Sequence, residues 1–122
     1  MVTLFYCLRR PSSMSFKEFS AHWNGPHAAL VKRLAPKLGV VRYIQHHALA
    51  PEAARVMQGM RGLEDPFDGV AEICFESMEA LQKGNLDPLV ADAQAELADD
   101  EAKFIDFSRS SILFTEAKAV IA

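Results

Sequence analysis

The chain has 122 residues, half of them hydrophobic and 24% charged, with a formal net charge of −3. That is the size and composition of one soluble domain with its own core, spanning 1–122. Its lysines and arginines form no run or stripe that would grip nucleic acid. No apolar run nears the length of a membrane span, so neither nucleic acid nor a membrane is an expected partner. The opening stretch MVTLFYCLRRP lacks the charged start and small-residue cleavage site of a signal peptide, and reads as a strand over residues 2–9. Cys7 and Cys74 sit in apolar runs; without an export signal they are expected reduced and buried, in a cytoplasmic protein.

Arg10-Pro11-Ser12-Ser13 ends the first strand with turn chemistry. Ser15 and Glu18 then form a capping-box pair. Phe16, Phe19, Trp23, His27, Leu30 and Leu34 follow at steps of three and four, the stripe of one helical face. Gly25-Pro26 interrupts that stripe. Proline has no N–H and clashes with the preceding turn, so the segment predicts two helices or one sharp kink, with His27 in the first turn of the second piece. Gly39 closes the segment. Residues 40–49 read as a second strand. Residues 50–67 form a less regular insert, with one or two helical turns between Pro51 and Gln58. Residues 70–77 read as a third strand. Ser77 caps the next helix, and Asp87-Pro88 breaks and restarts it with Leu89, Ala93, Leu97 and Phe104 on one side. Residues 110–121 complete the pattern as a last strand.

The order strand, helix, strand, strand, helix, strand reads as an α+β, ferredoxin-like βαββαβ sandwich, with two helices on one face of a four-stranded antiparallel sheet. In the first strand Leu4, Tyr6 and Leu8 share one face, and Phe5 and Cys7 the other. Both faces are apolar, so the face without helices predicts a partner, most simply a second copy packed sheet to sheet.

The candidate functional residues cluster in three places. His27 at a new helix N-terminus is expected to be neutral, since that end disfavours a cation. A neutral imidazole can take a proton or polarise a carbonyl, although position alone favours a core histidine bonded to a backbone carbonyl. Trp23 reads as a core aromatic that can also wall a pocket, and His22 as solvent-facing. In the second strand Val41, Tyr43, Gln45 and His47 share one face, and Val40, Arg42, Ile44, His46 and Ala48 the other. Tyr, Gln and His in a row suit a wet or ligand-filled cavity, or an edge strand facing water. Glu72, amid apolar residues, belongs to the pocket or to a contact between copies. His46 and His47 point apart and His22 and His27 are five apart, so no metal site is expected. No flavin or nicotinamide signature appears, and the expected cofactor is none. Haem binding, which can rest on a single histidine, stays open.

Four stretches, FKEFSAHWNGPHAALVKRL, VVRYIQHHAL, FDGVAEICFESMEAL and DEAKFIDFSRS, together resemble the EthD-type family of dimeric α/β barrel proteins, named for ethyl tert-butyl ether degradation. The resemblance spans about residues 2–117. It implies a ferredoxin-like subunit that dimerises into a barrel, with a pocket between sheet and helices. His27 matches the family's Pro-His-Ala histidine, Tyr43 and His47 the Tyr and His of the second strand, and Glu72 the glutamate of the third. His46 creates a histidine pair, and alternation with Tyr43 favours His47 as the one facing the pocket. The insert, with Met57 and Met60, is placed as a lid. The wider group holds cofactor-independent monooxygenases, polyketide cyclases, muconolactone isomerases and haem-degrading enzymes. The resulting expectation is a homodimeric enzyme that abstracts a proton beside a carbonyl of an aromatic, polyketide-like or lactone substrate. His27 would be the base, Tyr43 and His47 would steady the enolate, and Trp23, Gln45, His46 and Glu72 would contact substrate. A small-molecule-binding accessory protein without turnover, or a haem-handling protein, are the alternatives.

Overall fold

The computed structural model describes residues 1–122. Four strands, β1 (Val2–Leu8), β2 (Val40–His47), β3 (Gly69–Phe75) and β4 (Ser111–Thr115), form one antiparallel sheet in the order β2-β3-β1-β4. The helices are α1 (Phe16–His22), α2 (Ala28–Leu38), α3 (Glu52–Arg61), α4 (Met78–Gly84) and α5 (Pro88–Glu101). The strand order and antiparallel pairing are those of the ferredoxin-like α+β sandwich.

Local chemistry sets the helix ends. The Ser15 hydroxyl accepts from the Glu18 N–H and the Glu18 carboxylate accepts from the Ser15 N–H, each at 3.1 Å, which satisfies two donors at the start of α1. Asp87 caps α5 with Pro88 at its first position. Gly39 ends α2 in the left-handed conformation, φ 74°, which glycine adopts at little cost. Gly62, φ 63°, does the same for α3. That helix runs through Gly59 and is longer than the one or two turns expected.

The break at Gly25-Pro26 is not a break. Trp23–His27 forms a single π-helical turn, and His22, His27 and Ala28 all keep right-handed helical dihedrals. The Ala28 N–H donates to the Trp23 carbonyl, five residues back. A wider turn accommodates Pro26 without interrupting the helix. The extra residue also shifts the phase of the stripe. Phe19, Trp23, His27, Val31, Leu34 and Leu38 are buried, so Val31 takes the place expected of Leu30.

Alternation along β2 holds from Arg42 to His47, but a bulge at Val41 resets it. Val40 pairs with Phe75 and Arg42 with the next residue, Cys74, so Val40 and Arg42 lie on opposite faces. Val40 thereby joins Tyr43 on the helix-covered face. In α5, Val90 and Ala93 are buried and Leu89 is exposed, one residue out from expectation. β4 stops at Thr115, opposite Thr3 near the start of β1 and well short of residue 121.

Two clusters fill the space between helices and sheet: Leu8, Phe19, Trp23, Ala71, Phe104 and Ile105, and then Leu34, Leu38, Val90 and Ala93. Both cysteines are free; Cys74 is buried and Cys7 half-buried. Helix α3 buries none of its residues. Gly69 is needed for packing. A Cβ there would lie 2.8 Å from Trp23 Cη2 and closer still to Cζ3. Gly69→Ala therefore displaces the indole at the centre of the larger cluster. It is expected to cost about 1–3 kcal/mol, read from the urea midpoint; an unchanged midpoint contradicts this packing.

Candidate functional site

A cavity of about 230 Å³ lies between the sheet and helices α2 and α5. Leu4, Tyr6, Ala71, Ile73 and Tyr43 form its floor, and Trp23, His27 and Val31 part of its roof. Its ionisable lining consists of His27, Glu101 and the phenols of Tyr6 and Tyr43, with no lysine or arginine. Two hydrogen-bonded networks, one from each side, end at this cavity.

The first holds His27, which is only 5% exposed. Its Nδ1–H donates to Asp100 Oδ2 at 2.7 Å. A carboxylate carries no proton to give, so Nδ1 is the protonated nitrogen and Nε2 keeps its lone pair. Nε2 makes no hydrogen bond within the protein, while the ring lines the cavity. Burial pushes the imidazole below its ordinary 6.5, although Asp100 pulls the other way. His27 is thus neutral near pH 7, as the sequence suggested, but burial is the cause and not a helix terminus. His22, expected in solvent, also donates to Asp100, with Nε2 3.2 Å from both oxygens. Both imidazoles pack on Phe104, each with ring centroids 4.9 Å apart. Burial alone would push the Asp100 carboxyl up. The hydrogen bonds from His27 and His22 outweigh it and hold the group below its usual range.

The second network fixes Tyr43. Gln45 Nε2 lies 2.8 Å from the Trp23 carbonyl. A carbonyl can only accept, so this contact settles which end of the amide is nitrogen. The same nitrogen then donates to the Tyr43 hydroxyl at 3.1 Å, as does Trp23 Nε1 at 3.1 Å. Gln45 Oε1 faces His47 Nε2 at 2.9 Å, which makes Nε2–H the donor; His47 Nδ1 accepts from the Ser20 hydroxyl at 2.6 Å. The ring of His47 packs against Trp23 with centroids 4.4 Å apart, and burial pushes His47 down as well. With two donors aimed at its oxygen, Tyr43 has only its own O–H left to offer. Burial pushes that phenol up, with the Glu101 charge adding; the two incoming hydrogen bonds pull it down.

The predicted residues therefore divide three ways. Trp23, His27 and Tyr43 line the cavity together. Gln45 and His47 stand behind Tyr43, beside an open groove that also touches Ser20, Asn24 and Lys32. His46 and Glu72 do not join them: they sit on the far face of the sheet, where His46 Nε2 donates to Glu72 at 3.1 Å and Arg42 lies 3.6 Å from the same carboxylate. Strand alternation forces this, since Glu72 pairs with Phe5 and Ile44 on the open face. The expected lid is absent too, because no residue of 50–67 lines the cavity.

Asp100, Glu101 and Tyr6 were missed by the sequence reading. The Tyr6 hydroxyl donates to Glu101 Oε1 at 3.0 Å, inside the cavity lining. Burial pushes Glu101 up, the Tyr6 hydrogen bond pulls it down, and the Asp100 charge adds to the rise. One signal was available: Val90, Ala93 and Leu97 step by three and four, and the next step of four is Glu101.

Comparison with known proteins places the chain in a family. The EthD domain profile matches residues 11–108. No curated protein matches the sequence significantly. Among solved structures, an EthD family protein from Bacillus halodurans is 17% identical, with TM-score 0.63 over 97% of this chain and 99% of that one. A hydroxynitrile lyase from Passiflora edulis is 15% identical, with TM-score 0.62 over 99% and 96%. SnoaB, a cofactor-independent oxygenase from Streptomyces nogalater, is 15% identical, with TM-score 0.52 over 98% and 95%. At such identities the structural likeness is one of fold, but the profile covers most of the chain, and the protein belongs to the EthD domain family.

Proposed function

We propose that the chain is a cofactor-independent enzyme that removes a proton from carbon beside a carbonyl of a small aromatic, polyketide-derived or lactone compound. One observation carries this reading: the side chains of His27, whose Nε2 keeps its lone pair, and of Tyr43, whose O–H is left to donate, line the same apolar cavity. The C–H bond breaks, its proton goes to Nε2, and the electron pair moves onto the carbonyl oxygen. Tyr43 donates to that oxygen as its charge grows. The imidazolium, held by Asp100, then returns the proton: to another carbon of the enolate, which is an isomerisation, or to the alkoxide left when the enolate carbon adds to a second carbonyl of the same substrate, which is a cyclisation. Asp100, Gln45 and His47 act as positioning residues. A porphyrin is too large for this cavity, so the site described here does not carry the haem reading.

The oxygenase among the structural neighbours favours a second version, in which molecular oxygen captures the enolate. Oxygen uptake that tracks enolate formation would identify it.

Proton abstraction can be tested without the natural substrate, through deuterium exchange beside the carbonyl of aryl methyl ketones and small lactones in D₂O. His27→Ala is expected to slow exchange by about 10²–10⁴-fold and Tyr43→Phe by about 10²–10³-fold. Binding of these compounds without His27-dependent exchange supports the accessory, non-catalytic alternative instead.

The pH dependence has a defined sign. The base must be neutral, and burial holds its pKa below 6.5. Exchange should stay flat through neutral pH and fall only as pH drops below that value. An acid limb centred at or above 6.5 would assign the base to a different group.

We further propose that two copies pair through their open sheet faces. That face carries Phe5, Ile44, Val70 and half-exposed Leu113, with Glu72 held between His46 and Arg42. Sedimentation of the native protein should give about twice the 13.5 kDa of the chain, and Leu113→Asp should give the single-chain mass. A native protein that sediments as one chain rules out the pairing.

A further inference from the structure

The lining of the cavity says more about its ligand than the acid–base pair alone. Its volume is about 230 Å³, against about 150 Å³ for a cavity that holds benzene. One ring with a short substituent fits; two fused rings with substituents do not. No lysine or arginine reaches the lining. The Asp100 carboxylate backs His27, and the Glu101 carboxyl faces the interior from the end of α5. A ligand carboxylate would lose its water here and gain no cation.

Three polar groups remain to meet a ligand: the Gln94 amide, which can donate or accept, the Tyr43 O–H and the Glu101 carboxyl. The Tyr43 O–H is a donor whose oxygen is already occupied by Trp23 and Gln45. Glu101 is an acceptor: Oε1 takes the Tyr6 O–H, and Oε2 makes no hydrogen bond within the protein. Resting on the reading of this cavity as the active site, we propose that it takes a neutral, single-ring carbonyl compound that also bears a hydroxyl. Tyr43 donates to the carbonyl oxygen, Glu101 accepts from the hydroxyl, and carboxylates are refused. Glu101 is thereby a ligand-binding residue and sets specificity, with Tyr6 holding its carboxyl in place.

The test is a binding series on the whole native protein by calorimetry at neutral pH. The probes are para-hydroxyacetophenone, acetophenone, para-hydroxybenzoate and a hydroxy-acetonaphthone of two fused rings. The expected result is that para-hydroxyacetophenone binds at least about tenfold more tightly than each of the other three, the scale of one hydrogen bond to a charged group. Glu101→Leu should bring para-hydroxyacetophenone to within about twofold of acetophenone, because the hydroxyl loses its acceptor, while acetophenone binding persists and reports that the variant is folded. Should that variant not fold, the native series decides alone. No binding of para-hydroxyacetophenone, or equal binding of para-hydroxybenzoate, overturns the proposal. Because the readout is affinity, its failure is separable from that of the proton-abstraction reading. The ligand class can bind without exchange, and His27-dependent exchange can occur on compounds outside this class.

Discussion

Pro26 has no N–H to give, and the geometry of the site follows from how the chain absorbs that loss. An α-helical turn there would leave the carbonyl of His22 without its donor and crowd the proline ring against it. The helix instead widens by one residue over Trp23–His27 and continues. That widening puts Trp23, His27 and Val31 on the same buried side, where uniform α-helical spacing would carry them progressively around the axis. It also leaves the Trp23 carbonyl within reach of Gln45 Nε2 while it still accepts from Ala28. That one carbonyl orients the Gln45 amide. The amide sets the tautomer of His47 and, with the Trp23 indole, fills the lone pairs of Tyr43. A backbone defect in one helix thus determines the role of a side chain on the sheet.

The two networks work with opposite polarity. Around His27 the hydrogen-bonding partner is an acceptor: Asp100 accepts from both His27 and His22, with Lys103 Nζ 3.6 Å from its other oxygen, so the free lone pair is left at His27 Nε2. Around Tyr43 every neighbouring group is a donor, so the donor is left at the hydroxyl. Each depends on burial, since in water the same groups would exchange partners freely and keep neither assignment. Desolvation also works against charge on either group. It lowers His27 and raises Tyr43, so both are neutral before any reaction, and charge appears only when a proton moves. For the proposed chemistry this is a favourable resting state, because neither member of the acid–base pair carries charge until the enolate forms.

The fold was legible in the sequence because its signals are local. The Ser15–Glu18 capping box, Asp87-Pro88, Gly39 and the alternation in β1 and β3 each depend on a few neighbouring residues. The site was legible in part. His27, Trp23 and Tyr43 come together because they lie on stripes that local spacing reveals. His46 and His47 were separable by alternation alone, and the same rule sends Glu72 with His46 to the far face. What spacing could not show was which carboxylate meets His27. Asp100 is 73 residues away in sequence, and the run Asp99-Asp100-Glu101 has the composition of a solvated helix end. His22 was misplaced for the same reason: off its own helix's stripe it has no local reason to be inside, and only the approach of Asp100 and Phe104 draws it in.

The single-residue period of the sheet then connects the cavity to the opposite face. His46 and His47 are neighbours in the chain, yet one bonds to Glu72 in the open and the other to Gln45 behind Tyr43. The backbone between them is shared. If a second copy covers the open face, the cluster of His46, Glu72 and Arg42 becomes buried, and any adjustment it makes in β2 is felt by the strand that carries Tyr43 and Gln45. The bulge at Val41 limits how far this can travel, because it absorbs a change of register before Val40 reaches the cavity wall. The stretch from Arg42 to His47 is therefore the segment that serves both faces, sending Arg42, Ile44 and His46 to the open side and Tyr43, Gln45 and His47 to the helix-covered side.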